Sequence, residues 1–274
     1  MAAAVKAGSK GRPSVEAPLH DSLDACFVVH THPVLVNGLT CAKNGRSAAK
    51  KLFPQALWID YTDPGYTLCM KVRRDILDCQ KQYGRQPEII LLENHGIFVA
   101  ADDPDRIGQL HEEVFTVLKT QYRAASVSVG FPEPKSLTQD KLNRAKALFS
   151  VVFSPRHSAY VAGVEKFPAA QGPISPDHIV YSKSYPFIGQ PTKEAVAAFV
   201  QHRGYEPAVV ITKDAVYGLG SSPKSAQLAL ELAIDGAQVI HYANAFGGIQ
   251  FMTDEARAFI ENWEVESYRK KQIG

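Results

Sequence analysis

The segment EIILLENHGIFVAADDPDRI, residues 88–107, decides how the chain folds. Two apolar runs, "EIILLE" and "IFVAA", are separated only by Asn94, His95 and Gly96, and a helical pattern follows from about Pro104 to Arg123. Strand, turn, strand and helix in so short a span point to a layered α/β domain. Gly96 is expected to relax the backbone between the strands, and Asn94 to hold the turn through its side chain. Upstream, "PSVEAPLHDSLD", "PVLVNGLTCA" and "GRSAAKKLF" read as helical and "CFVVHTH" and "ALWID" as extended. After the Asp63-Pro64-Gly65 turn comes a long amphipathic helix, "YTLCMKVRRDILDCQKQY". Downstream, "SVSVGFPEPKSLTQ" has the Gly, Pro and Ser content of a linker. A strand pair "PAVVITKDAVYGLG", a helix "SPKSAQLALELAIDGAQVIHYA" and a closing helix "TDEARAFIENWEVESYRKKQ" follow. The implied organisation is a first unit over 1–124, a linker over 125–136 and a second α/β unit over 137–274.

Composition narrows the functional classes. The 274 residues carry 30 Lys and Arg against 28 Asp and Glu, without long runs of either sign, so no nucleic-acid surface is advertised. No apolar stretch reaches the roughly 18 to 20 residues that cross a bilayer, and "MAAAVKAGSKGRP" lacks an apolar signal core. The expectation is a cytoplasmic protein with no nucleic-acid or membrane partner. Cys26, Cys41, Cys69 and Cys79 show no C-x-x-C spacing and read as reduced, packed thiols.

In "CFVVHTH", alternate side chains share a face, so His30 and His32 point the same way. Taken alone, an H-x-H in a strand is more often a pair of satisfied structural histidines than a metal site. His95, at the turn between two apolar strands, supplies a third imidazole. Three protein ligands with one open position is the arrangement of a catalytic zinc site. His111, His157, His178, His202 and His241 have no ligand spacing and read as surface or core residues.

The motifs "RPSVEAPLH", "VVHTHPVLVNGLTCAKNG", "YTDPGYTL" and "LLENHGIFVAADDPDRI" together resemble the class II aldolase/adducin family. Within it, the chain is most similar to the aldolase portion of rhamnulose-1-phosphate aldolase/short-chain dehydrogenase fusions. The resemblance implies an α/β fold: a three-layer α/β/α sandwich around an antiparallel-rich sheet, with a second, degenerate α/β unit. It implies His30, His32 and His95 as metal ligands, Zn2+ as the metal, and Glu16 as the catalytic acid/base that can also touch the metal. The implied reaction is aldehyde-lyase cleavage of a ketose 1-phosphate such as rhamnulose 1-phosphate, in a homo-oligomer. A metal stabilises the enediolate left by such a cleavage, and a nearby carboxylate moves the proton. Glu16 also reads simply as a first-turn helix glutamate. His20, one turn later, either orients Glu16 and the metal shell or is structural. Tyr61 and Tyr66 flank the Asp-Pro-Gly turn, and packing is the plainer reading of both.

Two readings compete with the lyase. One is a non-catalytic, adducin-like scaffold or truncated member; the other is a metal-dependent sugar-phosphate epimerase or dehydratase, because enolate chemistry serves all three. Full-length relatives carry an upstream segment whose Gly-Asn and Ser-Gly turns hold the phosphate, and this sequence is expected to lack it. Lys183 or the turn at Gly220 to Lys224 is the candidate substitute. There, however, "GLGSSPKSAQ" is neither G-x-G-x-x-G nor a P-loop and fits ordinary helix capping. "NHGIFVAADDPDRI" and "KDAVYGLGSSPKSA" align as strand, turn and helix start, with Asp214 where His95 stands. That pattern predicts a degenerate second copy without a metal.

Overall fold

The computed structural model describes Lys6, Gly8 and residues 14–263. In chain order the elements are α1 (Ala17–His20), β1 (Phe27–Thr31), α2 (Val34–Thr40), α3 (Gly45–Leu52), β2 (Leu57–Ile59), α4 (Tyr66–Tyr83), β3 (Ile89–Leu92), β4 (Gly96–Ala101) and α5 (Pro104–Ala124). Then follow α6 (Gln139–Val152), β5 (Tyr160–Glu165), α7 (Pro176–Ser182), β6 (Phe187–Ile188), α8 (Lys193–Arg203), β7 (Val209–Ile211), β8 (Ala215–Gly220), α9 (Pro223–Ala243) and α10 (Asp254–Asn262). A 3-10 turn, Asn244–Phe246, sits between the last two helices. The part of the expected closing helix beyond Trp263 lies outside the described residues.

The fold is mixed α/β with two four-stranded sheets. The first has the order β1-β4-β3-β2, and β4 lies antiparallel to both neighbours while β2 runs parallel to β3. All six residues of β4 are buried because helices cover both of its faces. Ile97, Val99 and Ala101 pack among Val36 and Leu39 of α2 and Leu110, Val114 and Leu118 of α5. Phe98 and Ala100, on the opposite face, pack among Leu19 and Leu68, Val72 and Ile76 of α4. A strand buried on both sides reads as a continuous apolar run, as "GIFVAA" does.

The second sheet repeats the plan. Its order is β5-β8-β7-β6, with the same two antiparallel pairings and one parallel pairing. Asp214 immediately precedes β8 as His95 immediately precedes β4, which is the placement the aligned segments predict. His30 pairs with Phe98 in the first sheet, and Gly163 pairs with Tyr217 at the matching place in the second. A side chain at Gly163 would run into the Tyr217 ring, so this position is filled from across the sheet.

Several segments depart from the sequence reading. The helix expected over "PSVEAPLHDSLD" is the single turn α1. Its continuation is stopped where the Ser22 hydroxyl donates to Pro18 O at 2.7 Å, while Ser22 N turns to Leu19 O at 3.0 Å. Among the cysteines Cys41 and Cys69 are buried, but Cys26 is exposed at the head of β1 and is not packed. Burial pushes the Cys41 thiol up to about 12, so it stays protonated. No helix among the described residues is long and apolar enough to cross a membrane.

The two sheets share a seam. Tyr242, Ala243 and Phe246 belong to the same buried cluster as α2, α5 and β4. Gly38 of α2 meets Tyr242 of α9, and the Tyr122 hydroxyl of α5 donates to Leu35 O at the same crossing. A Cβ at Gly38 would overlap Tyr242 Cβ and lie 2.7 Å from the Tyr122 hydroxyl. Gly38→Ala is therefore expected to cost about 1–3 kcal/mol by overpacking. Chemical denaturation checks it, and an unchanged midpoint would mean the helices part freely.

Candidate metal centre

The first sheet brings four predicted residues to one point. Glu16, His30, His32 and His95 each offer a ligand atom, and these atoms lie within 4.8 Å of one another. His30 is on β1, and His32 follows one residue beyond its end. Because β1 alternates, both rings stay on one side of the sheet. His95 enters from the turn between β3 and β4, and β4 is the strand next to β1. Glu16 immediately precedes α1, which Leu19 anchors in the core beneath Phe98.

The hydrogen bonds determine which nitrogens face inward. His30 Nδ1 donates to Ile97 O at 2.9 Å, since a carbonyl can only accept. His32 Nδ1 lies 2.7 Å from Asp177 Oδ2 and donates to that carboxylate. Both Nδ1 hydrogens are thereby used, and the two Nε2 atoms face each other at 2.8 Å. Glu16 Oε1 lies 3.5 Å from His30 Nε2 and 3.2 Å from His95 Nε2. Lone pairs directed at one another repel unless a proton or cation sits among them. A tetrahedral zinc with bonds of about 2.0–2.1 Å spaces its donors roughly 3.3 Å apart, the scale seen here. The donor set fits a divalent metal ion.

Electrostatics point the same way. Burial opposes ionisation of Glu16, but the His30 and His95 imidazoles beside it outweigh that and hold the carboxyl far below the usual range. Burial pushes His95 down, and the neighbouring imidazoles add to that; neutral imidazole is the form that ligates. Partial burial pushes His32 down, yet the Asp177 carboxylate outweighs it and raises it above its ordinary value. Phe98 stacks on His30 with centroids 4.0 Å apart and planes 10° apart, which fixes that ring.

The turn is built differently from the sequence expectation. The left-handed residue is Asn94, with φ of 50°, rather than Gly96. Gly96 is needed for space: a Cβ there would overlap His32 Cδ2 and sit 2.5 Å from Thr31 O. The Asn94 side chain does not close its own turn. Its Nδ2 donates to Ile174 O at 2.9 Å and Gln250 O at 2.8 Å, tying the His95 turn to later parts of the chain.

Other candidates fall outside the cluster. His20 Nδ1 donates to Val28 O at 3.1 Å, and its ring meets Phe98 edge-on, so it is structural. Tyr61 packs beside Ile179, Val180 and Met252, with its hydroxyl 3.4 Å from Asp63. Tyr66 is 79% exposed at the start of α4, which corrects the expectation that it packs. His111, His157 and His241 donate to or contact backbone carbonyls. Ser222 and Ser225 form a capping box at the start of α9, so capping accounts for "GLGSSPKSAQ". Lys183 lies over the Tyr205 ring at 4.8 Å. Together with Gly220 and Ser221 it lines a cavity of about 400 Å³ whose lining includes none of the four cluster residues. Asp177 was not singled out from sequence; its only local signal is an acidic residue in the first turn of a short Pro-initiated helix.

Comparison with known proteins agrees with the location of the cluster. Residues 2–122, which include all four residues, match the family model described as Class II Aldolase and Adducin N-terminal domain. A curated relative, "Uncharacterized oxidoreductase YuxG" of Bacillus subtilis (strain 168), is 32% identical over 87 residues. That match covers 31% of this chain and 12% of the relative, so only a small part of that protein is represented. The solved N-terminal class II aldolase domain of a conserved protein from Thermoplasma acidophilum is 25% identical, with a TM-score of 0.34 over 39% of this chain and 47% of that one.

The tight fit of Gly96 under His32 leads to a direct expectation. Gly96→Ala should push the His32 ring out of line and lower divalent-metal affinity at least tenfold. Titration of the apo protein against a competing chelator measures this, and wild-type affinity in the variant would show that the ring has room to adjust.

Proposed function

We propose that the chain is a zinc-dependent aldehyde-lyase that cleaves a ketose 1-phosphate, with rhamnulose 1-phosphate the first substrate to test. The three-layer sandwich and the homo-oligomer expected of such enzymes belong to the same proposal. The observation that carries it is the convergence of Glu16, His30, His32 and His95, inside the segment that matches the aldolase and adducin model. His30, His32 and His95 would hold the ion through their inward-facing nitrogens. A bound divalent ion supplies Lewis-acid polarisation of carbonyl and hydroxyl oxygens. Glu16 then has the proton to manage. Its carboxylate is ionised, 17% exposed and aimed into the cluster, so it can accept a proton from a substrate hydroxyl and return it to carbon. Phe98, stacked on His30, and Leu19 belong to the apolar cluster on that side of the sheet.

Two expected outcomes test the reading. Elemental analysis of the purified chain should show close to one zinc per chain, falling sharply in His30→Ala and His95→Ala; unchanged content in both would remove the site. In a ketose 1-phosphate cleavage assay, Glu16→Gln should keep the metal while reducing turnover by about 10²-fold or more, the usual scale for a general acid/base. Undiminished turnover in that variant would take the proton-transfer assignment away from Glu16.

A further inference from the structure

We propose that Asp177 is the positioning carboxylate of the metal centre, so that the segment entering α7, far along the chain, holds the ligands presented by the first sheet. The inference rests on the metal reading above. His32 lies past the end of β1 and just before Pro33, where no strand ladder fixes its ring. What orients it is the 2.7 Å bond from Nδ1 to Asp177 Oδ2, which leaves Nε2 bare toward His30. A carboxylate on the remote nitrogen of a ligating histidine fixes its tautomer and rotation and raises its basicity, and loss of such a partner typically costs 10–100-fold in metal affinity.

Asp177 is itself held in place. It lies in the first turn of α7, whose preceding residue Ser175 hydrogen-bonds His178 Nδ1 at 2.7 Å through its hydroxyl. His178 Nε2 in turn lies 3.1 Å from Asp235 Oδ1 on α9. Both Ser175 and His178 are buried, so the turn is fixed from within rather than resting on the surface. One residue further upstream, Ile174 O accepts from Asn94, the neighbour of His95. Residues 174 to 177 therefore hold the ring of His32 and the turn of His95 together. The second sheet has Gly163, Glu165 and Asp214 where the first has His30, His32 and His95, and Asp214 points to solvent with its side chain 77% exposed. The second copy no longer resembles a ligand set of its own; its contribution is the support around Asp177.

The test is metal affinity of the full chain, measured by zinc competition with a chelator and by the visible absorption of the cobalt-loaded protein. Asp177→Ala should weaken zinc 10–100-fold and alter the cobalt band, with the apo melting temperature near that of wild type. Asp177→Asn keeps an acceptor for His32 Nδ1 without the charge, and its affinity should fall between the two. Affinity of Asp177→Ala within threefold of wild type would overturn the proposal, as would equal losses in both variants accompanied by equally lowered apo melting, which is the mark of a purely structural residue. Should Asp177→Ala fail to fold, Asp177→Asn decides alone: a loss of threefold or more with unchanged apo melting supports the assignment, and unchanged affinity overturns it. A wild-type chain that takes up no metal would overturn the metal reading itself, whereas metal-replete wild type with an indifferent Asp177 overturns only this inference.

Discussion

Two imidazole Nε2 atoms 2.8 Å apart are the constraint on which the rest of the site depends. Neither ring can turn its hydrogen inward without giving up an acceptor: Ile97 O for His30, Asp177 for His32. Glu16 adds a third electron-rich atom at 3.2 to 3.5 Å. The packing around them holds these atoms together, with Phe98 against His30, Gly96 beneath His32 and Asn94 anchoring the turn of His95. A cation at the centre turns their mutual repulsion into attraction, which is why the donor chemistry and the packing support the same interpretation.

Much of this was legible in the chain itself, for reasons of period and spacing. The alternation in "FVVHTH" put two imidazoles on one side, and "LLENHGIFVA" marked the turn that brings the third, because strand geometry is local and repeats every two residues. The long helices α4, α5 and α9 were readable from amphipathic spacing and from their Pro and Asp or Ser starts. The internal repeat was readable as well, and the shared strand order of the two sheets bears it out. What periodicity could not show is any contact between segments far apart in sequence. Asp177 meets His32 across 145 positions, and Asn94 reaches Gln250 across 156. The reason for Gly96 was likewise misread from sequence, since a glycine required for a neighbour's ring looks the same as one required for a positive φ.

The repeat also shows how differently two copies of one plan can be used. A strand position that carries an imidazole into the cluster in one sheet is shaped by packing in the other. At Gly163 the Tyr217 ring occupies the space that the matching position in the first sheet gives to His30. In the first sheet the corresponding ring, Phe98, lies flat against the histidine instead of replacing it. An aromatic residue at the same place in β4 and β8 thus supports a histidine in one sheet and fills its absence in the other.

The seam between the copies follows from the same economy of space. Helix α2 begins two residues after His32, so any shift of α2 is transmitted directly to that histidine. Gly38 lets α2 approach Tyr242 of α9 closely, and Tyr122 binds the backbone of α2 at Leu35. The helix that follows β1 is therefore clamped from one side by α5 and from the other by α9. Side chains in a close-packed interior transmit displacement rather than absorb it. The position of His32 is thus defined twice, by its bond to Asp177 and by the burial of the helix that begins behind it, and both restraints come from residues outside the cluster.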